Sequence, residues 1–326
     1  MTLLLVQAIR ATYAVLASIA LIFELVPWTR EAFVKYGKTR AAEQEDRDFV
    51  PKSPVVRAFQ WFSTQTVPKN LFWHFYALGA TICVLLMLDL STWITDLTGT
   101  RDQQQPSSAW SASLEPMLRR LAKCGGFSMS WGNTTPILVA SPHVATVLSL
   151  GMYSVHVILR LKEALYDQPA TSARMHIGQY AVGIVYYIVT PFAVVVDGIS
   201  SPGWSSPSIW PVAVGFTIYI YASVHQWRCH HILYQLRRRS LVKGSGYAIP
   251  AGDLFEYVVC PHFLCEILVY IAIWTASGFQ ATTLLWTIAW TAINLGITAR
   301  ETRKWYVETF DSKFPSNRRA LVPYIF

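Results

Sequence analysis

The chain has 326 residues, of which 53% are hydrophobic and only 14% are charged. Soluble proteins carry about a quarter charged residues, so this composition argues against a soluble domain and favours a protein surrounded by lipid. The net charge of +8 does not indicate nucleic acid binding, because the basic residues lie in short segments between apolar runs, and the five cysteines lack the spacing of a disulfide-rich domain.

Charge-poor stretches of membrane-spanning length recur along the whole chain. A helix needs about 20 apolar residues to cross the hydrocarbon layer of a bilayer. The pattern predicts an all-α, polytopic membrane bundle of about seven transmembrane helices, folded as one domain over 1–326. The predicted spans are 3–26, 71–96, 142–160, 176–198, 208–227, 258–276 and 280–299.

The basic residues between the spans predict the orientation. Segments 29–69 and 228–243 and the C-terminal tail are rich in Lys and Arg, whereas 199–207 and 277–281 carry no charge. Because basic loops stay in the cytosol, seven spans place the N-terminus in the lumen and the C-terminus in the cytosol. The loop 97–141 is then lumenal, and its glycosylation acceptor pattern at Asn133 is interpreted as a chance occurrence.

Polar side chains inside or at the edges of the spans are the first functional candidates, because such residues are costly to keep in a membrane. Neither a Gly-x-Gly-x-x-Gly fingerprint nor a P-loop is present, so any nucleotide cofactor has to be held by other groups. The candidates are His156, Arg160, His176, Gln179, His225, Gln226, His262, Glu266 and Asn294.

Two short clusters of Cys and His, at 229–231 and 260–265, contain residue types that bind zinc. Zinc requires about four ligands that converge on one point. His230 and His231 are neighbours on a predicted helix and point about 100° apart, so they cannot both reach one small site. We therefore interpret these clusters as part of a polar pocket at the cytosolic edge and expect no metal.

The segment 246–266, Gly-Tyr-Ala-Ile-Pro-Ala-Gly-Asp-Leu-Phe-Glu-Tyr-Val-Val-Cys-Pro-His-Phe-Leu-Cys-Glu, resembles the signature of the steroid 5-alpha-reductase family. The closing run 305–323 resembles the C-terminus of the same family. Four further pieces are similar to its polyprenol reductase branch rather than to its steroid branch. They lie at 35–39, 67–76, 176–187 and 225–233.

The resemblance implies an oxidoreductase of the endoplasmic reticulum membrane that uses NADPH to saturate a CH–CH double bond. The implied substrate is a long-chain polyprenyl lipid, reduced at its alpha-isoprene unit in dolichol synthesis for protein N-glycosylation. Hydride adds readily to an alkene conjugated to a carbonyl, because the carbonyl oxygen takes up the negative charge. An isolated allylic alcohol has no such acceptor, so we expect the alpha,beta-unsaturated aldehyde as the substrate.

The resemblance also implies site residues, mainly in the region 142–326. Steroid-reducing members hold the substrate ketone with a Glu and a Tyr, but the matching positions are Gln65 and Val157. The proton donor is therefore open, and the catalytic candidates are His156, Gln65 and Glu163, with Tyr166 as a further possibility. The implied cofactor-binding residues are His230, Arg237, Tyr247, His262, Glu266, Asn294, Tyr306 and Arg318.

Other functions remain open from the sequence. A 3-oxo-steroid 5-alpha-reductase or a very-long-chain enoyl reductase would have the same overall pattern. An isoprenylcysteine methyltransferase also holds its cofactor among C-terminal spans, and a lipid transporter without enzymatic activity would need only the spans.

Overall fold

The computed structural model describes residues 2–25, 61–62, 64–98, 144–169, 172–200, 208–243 and 246–326. This part of the chain forms a bundle of seven α-helices, which confirms the predicted all-α architecture. Nearly all of the loop 97–141, including Asn133, lies outside the described residues. The helices are α1 (Thr2–Leu25), α2 (Trp73–Thr98), α3 (Val144–Lys162), α4 (Ile177–Ser200), α5 (Ile209–Lys243), α6 (Pro261–Ala276) and α7 (Leu284–Phe310).

Four of these helical segments are long and apolar enough to cross a membrane. The helix α6 is apolar but has only 16 residues, since it begins at Pro261, whose missing N–H is harmless in a first turn. The helices α5 and α7, with 35 and 27 residues, extend well beyond the predicted spans. The orientation and the number of crossings stay predictions. The four segments are Leu3–Leu25, Lys69–Leu90, Val144–Asp167 and Ile177–Gly198.

Polar contacts join α1 to α4 and α7 along its length. Nη2 of Arg10 lies 3.3 Å from Oδ1 of Asp197 on α4, and the Tyr13 hydroxyl forms a 2.8 Å hydrogen bond with the same helix. Toward the other end of α1, Glu24 pairs with Arg300 on α7. Charged groups in an apolar bundle are tolerated when they are paired, so these contacts fix the position of α1.

A two-stranded antiparallel sheet holds the N-terminal ends of α2 and α4 together. Strand β1 (Thr66–Pro68) leads through a 3₁₀ turn into α2, and strand β2 (Arg174–His176) leads directly into α4. Thr66 pairs with His176 across the sheet. The sheet therefore fixes the ends of α2 and α4 relative to each other on the predicted cytosolic side of the bundle.

The segment 246–266 and the C-terminal tail, which carry the family resemblance, pack against each other. Val258 forms a parallel bridge with Arg319, and the Cys260 N–H donates to the carbonyl of Ala320. At the far end of α6, the helices α5 and α6 approach closely at Gly215, where an added Cβ would lie 2.6 Å from the backbone nitrogen of Ala276. Only glycine fits this contact between two helix backbones.

Candidate active site

A cavity of about 540 Å³ lies between the helices, a volume typical of small-molecule sites. Its walls are mainly aliphatic and aromatic side chains of α1, α2 and α4. Ile19 on α1 both lines the cavity and is 40% exposed on the outer surface of the bundle. The main apolar lining residues are Leu16, Ile19, Ala20, Phe23, Phe72, Phe75, Tyr76, Val182, Tyr186 and Tyr187.

Six polar side chains from the C-terminal half of the chain line the cavity, in addition to the candidates His176 and Gln179 on the α4 side. They come from α3, α5, α6 and α7, which are separated by long stretches of sequence. Hydrogen-bonding groups in an apolar pocket orient a ligand and set its specificity. The six are Arg160, Gln226, His230, His262, Glu266 and Asn294.

Glu266 on α6 is the acceptor of one hydrogen-bond network. Its Oε2 accepts from Nε2 of Gln226 at 2.6 Å, and its Oε1 accepts from the Tyr270 hydroxyl at 3.3 Å. Nε2 of His156 also lies 3.3 Å from Oε1 of Glu266. The carboxylate thus faces the cavity with several donors behind it.

A second network forms around Arg160 at the end of α3. Arg160 pairs with Glu163, and its Nη1 donates to Nδ1 of His230 at 2.6 Å. Oε2 of Glu163 lies 2.9 Å from the same Nδ1. Nη2 of Arg160 donates to the Tyr76 hydroxyl at 3.2 Å. Arg160, His230 and Tyr76 line the cavity, whereas Glu163 lies behind them.

The three catalytic candidates do not line the cavity. His156 is only 2% exposed and contacts Glu266. Glu163 contacts His230, which does line the cavity. Nε2 of Gln65 donates to the carbonyl of Trp61 at 3.0 Å, so its side chain stabilises a local turn. His156 and Glu163 can act through neighbours that reach the cavity, and their catalytic roles stay predictions.

The part of the chain that the structure describes contains no group of three or more His, Cys, Asp or Glu side chains suited to a metal ion. Cys229, Cys260 and Cys265, from the two Cys and His clusters, are buried free thiols.

The comparison with known proteins gives two kinds of match. The family model of 3-oxo-5-alpha-steroid 4-dehydrogenase matches residues 175–326. Polyprenal reductase from Xenopus tropicalis is 28% identical over 306 residues, which cover 90% of this chain and 87% of that protein. Polyprenal reductase 2 from Arabidopsis thaliana is 31% identical over 295 residues, which cover 80% of this chain and 83% of that protein. The chain belongs to the steroid 5-alpha-reductase family. It is therefore a membrane-embedded oxidoreductase that reduces a carbon–carbon double bond.

The eight residues predicted to bind the cofactor fall into two groups, and their role stays a prediction. His230, His262, Glu266 and Asn294 line the cavity. The other four positions, Arg237, Tyr247, Tyr306 and Arg318, do not line it.

Within the second group, Arg237 lies seven residues beyond His230 on α5, which corresponds to about 10 Å along the helix. Arg318 is buried, and its Nη1 donates to the carbonyl of Pro250 at 2.7 Å. Tyr306 stacks on aromatic residues of the tail, and its burial raises the pKa of the phenol well above its usual range. Arg318 and Tyr306 thus stabilise the packing of segment 246–266 against the tail.

Three residues of the site were not assigned a role from the sequence. Arg160 and Gln226 are polar residues within or beside predicted spans, and this position was the only signal for them. The spacing of three residues between Arg160 and Glu163 also favours an ion pair on a helix. Tyr76 ends the segment 67–76, and the resemblance of this segment to the polyprenol reductase branch was the only signal for it.

Proposed function

We propose that the protein is an NADPH-dependent polyprenal reductase of the endoplasmic reticulum membrane. It saturates the alpha-isoprene double bond of the polyprenyl aldehyde, and the product leads to dolichol for protein N-glycosylation. The observation that carries this proposal is the cavity, which combines an aromatic and aliphatic wall with one polar region. Two named polyprenal reductases that match most of the chain support the same substrate.

The cavity suits the reactive end of a long isoprenoid. Its volume of about 540 Å³ accommodates the aldehyde and the first isoprene units, while the rest of the lipid has to stay in the bilayer. Ile19, which lines the cavity and is also exposed, supports a passage toward the lipid on the α1 side. The aldehyde is the polar end, so it belongs beside Arg160 and His230.

The residues at the polar region also suit a nicotinamide. Its carboxamide needs both a donor and an acceptor, and Asn294, His262 and Glu266 offer these on neighbouring helices. Farther along α5, the arginines at 237–239 offer guanidinium groups, which bind phosphates bidentately. When bound there, NADPH supplies the hydride for the reduction.

The protein's own groups then have two tasks. Donors such as Arg160 can hydrogen-bond the aldehyde oxygen and stabilise the negative charge that develops on it. The aromatic walls, including Tyr186 and Tyr187, exclude water, and this strengthens the interaction.

A steroid substrate is less well supported. The steroid-binding Glu and Tyr are replaced by Gln65 and Val157. The Gln65 side chain is bonded to its own turn, and Val157 is fully buried. We expect that Gln65→Glu alone does not produce testosterone reduction, because the phenol would still be missing.

The test is reduction by the purified protein in lipid nanodiscs. Polyprenal, polyprenol, testosterone and an enoyl thioester are incubated with NADPH or NADH, and the gain of two hydrogens is followed by mass spectrometry. We expect polyprenal to be reduced with NADPH, and His262→Ala to lose the activity. His231→Ala is the control, since His231 is an exposed histidine on α5 that does not line the cavity. Reduction of testosterone or of the thioester, but not of polyprenal, would overturn the proposal.

A further inference from the structure

Glu163 occupies an unusual position for a carboxylate with no direct access to the cavity. It is the first residue of a π-helical turn, Glu163–Asp167, that follows α3, and it is the buried residue of that turn. Turns of this kind occur frequently at functional sites. Nη2 of Arg238 donates to the carbonyl of Asp167 at 2.9 Å, which ties the turn to α5, the helix that carries His230.

The contacts of His230 determine what its ring can do. Arg160 has only donors, so Nδ1 of His230, at 2.6 Å from Nη1, accepts a hydrogen bond. In this tautomer the ring proton is on Nε2, at the edge of the ring that faces away from Arg160 and Glu163. His230 lines the cavity and its Nδ1 is occupied by Arg160 and Glu163, so Nε2 is the ring nitrogen that remains for a substrate.

The contact between Glu163 and His230 indicates a proton that can move from one to the other. Oε2 of Glu163 lies 2.9 Å from the same Nδ1, and a bare carboxylate would be repelled by the nitrogen lone pair. A proton on Glu163 that points toward Nδ1 removes this repulsion. Because Nδ1 has a single lone pair, this hydrogen bond takes the place of the one from Arg160, which then donates to Glu163. Arg160 lies next to both groups, so it stabilises the carboxylate that remains when Glu163 gives up this proton.

From this geometry we infer that His230 is the proton donor of the reduction, and that Glu163 keeps the ring neutral by giving its own proton to the opposite ring nitrogen. This inference rests on the proposed function. His230 is the catalytic residue, whereas Glu163 is a positioning residue that acts through the ring.

The steps balance as follows. The hydride that bound NADPH would supply forms a bond to the beta carbon, and the electrons of the double bond move through the conjugated system onto the aldehyde oxygen. The oxygen electrons then re-form the carbonyl, and the electron pair of the enolate double bond takes the Nε2 proton of His230 at the alpha carbon, while the electrons of the broken Nε2–H bond remain on Nε2. Nδ1 takes the proton of Glu163, so the ring stays neutral, and the resulting carboxylate pairs with Arg160. Before the next turnover one proton from solvent binds Nε2, and Nδ1 returns its proton to Glu163.

The experiment determines from which face the alpha carbon is protonated. Polyprenal is reduced in D₂O with protein in nanodiscs, the product aldehyde is trapped at once with borohydride, and NMR determines which of the two C2 positions carries deuterium. The wild-type protein should label one position only. In His230→Gln, protonation from bulk water should label both positions, and turnover should fall about 100-fold.

The controls separate a chemical effect from a folding effect. The circular dichroism spectrum of His230→Gln should match that of the wild-type protein. His231→Gln should keep both NADPH binding, measured through nicotinamide fluorescence, and single-sided labelling. Glu163→Gln should lower kcat about 100-fold with little change in KM, and Glu163→Asp should restore part of kcat because it still carries a proton.

Failure of the proposed function and failure of the inference about His230 would give different results. If the wild-type protein does not reduce polyprenal, the proposed function is wrong. If the wild-type protein is active and His230→Gln keeps single-sided labelling, the inference about His230 is wrong by itself. Loss of single-sided labelling in His156→Gln, but not in His230→Gln, would assign the proton donor to the Glu266 network instead.

Discussion

The Glu266 carboxylate depends on individual side chains from three helices. Its shortest contact is the 2.6 Å hydrogen bond from Gln226 on α5, and the His156 ring and the Tyr270 hydroxyl complete the group. A buried acceptor that loses its donor keeps the cost of desolvation without the compensating bond. The orientation of Glu266 toward the cavity therefore relies on Gln226 more than on its own helix.

We predict that Gln226→Leu lowers the free energy of unfolding by about 1–3 kcal/mol, because it removes a hydrogen bond to a charged acceptor. Thermal unfolding in detergent, followed by tryptophan fluorescence, measures the change. Gln235→Leu on the same helix is the control, since Gln235 is exposed and its side chain hydrogen-bonds the exposed His231. Equal stability of the two variants would show that the Glu266 network does not stabilise the bundle.

The helix α1 packs apolar side chains such as Val6 and Ile9 into the core and is also held by polar contacts with its neighbours. Asp197 on α4 accepts from the backbone N–H of Thr283 at 2.5 Å, from Oγ1 of Thr283 at 2.8 Å, and from Arg10. One carboxylate thus connects α1, α4 and the start of α7.

Asp197→Ala should lower the free energy of unfolding by about 1–3 kcal/mol, mainly because the buried N–H of Thr283 would lose its acceptor, whereas the partly exposed Arg10 keeps its bonds to threonine hydroxyls. Arg10→Met should cost less, since Asp197 keeps its bonds to Thr283. Chemical denaturation of the two variants in the same detergent tests this order. A larger loss in Arg10→Met would mean that the arginine contributes through contacts other than the Asp197 pair.

The wall between α2 and α4 is shaped by Gly183. An added Cβ at Gly183 would lie 2.7 Å from Cζ of Phe75, whose ring stacks on Tyr187 with the ring centroids 6.0 Å apart. All three residues line the cavity, so a displaced Phe75 ring would reduce its width.

We therefore predict that Gly183→Ala raises the KM for polyprenal several-fold and costs about 1–3 kcal/mol of stability through overpacking. Gly151→Ala is the matched control, because its Cβ would meet its nearest neighbour, Cε of Met87, at an ordinary 3.7 Å. The double variant Gly183→Ala/Phe75→Leu should recover the KM. No recovery in the double variant would exclude the Phe75 ring as the cause.

The molecule as a whole has a predicted orientation that labelling can test. Four native cysteines are buried, and Cys124→Ser removes the fifth. In sealed microsomes, a membrane-impermeant maleimide should label Lys313→Cys directly. Ser208→Cys should react only after the membrane is opened, since 199–207 is predicted to be lumenal. Both introduced positions are exposed. The reverse pattern would invert the predicted topology.

The sequence by itself determined the helical membrane bundle and the family. Long charge-poor runs can only be helices in lipid, because every backbone polar group has to be satisfied inside the segment. The segments 246–266 and 305–323 were recognisable because local runs of residues keep their order in the chain. The same local information indicated His262 and Glu266 as site residues.

Only the tertiary structure decided which polar residues face one cavity. Arg160, Gln226 and His230 meet Glu266 and Asn294 through packing of helices far apart in sequence, and helix rotation decides which side chains face inward. The same packing places the Gln65 side chain on its own turn. His156 and Glu163 do not line the cavity and instead contact residues that do. A periodic pattern identifies an apolar span, but when a helix is apolar on nearly every side it cannot specify the face that meets a substrate.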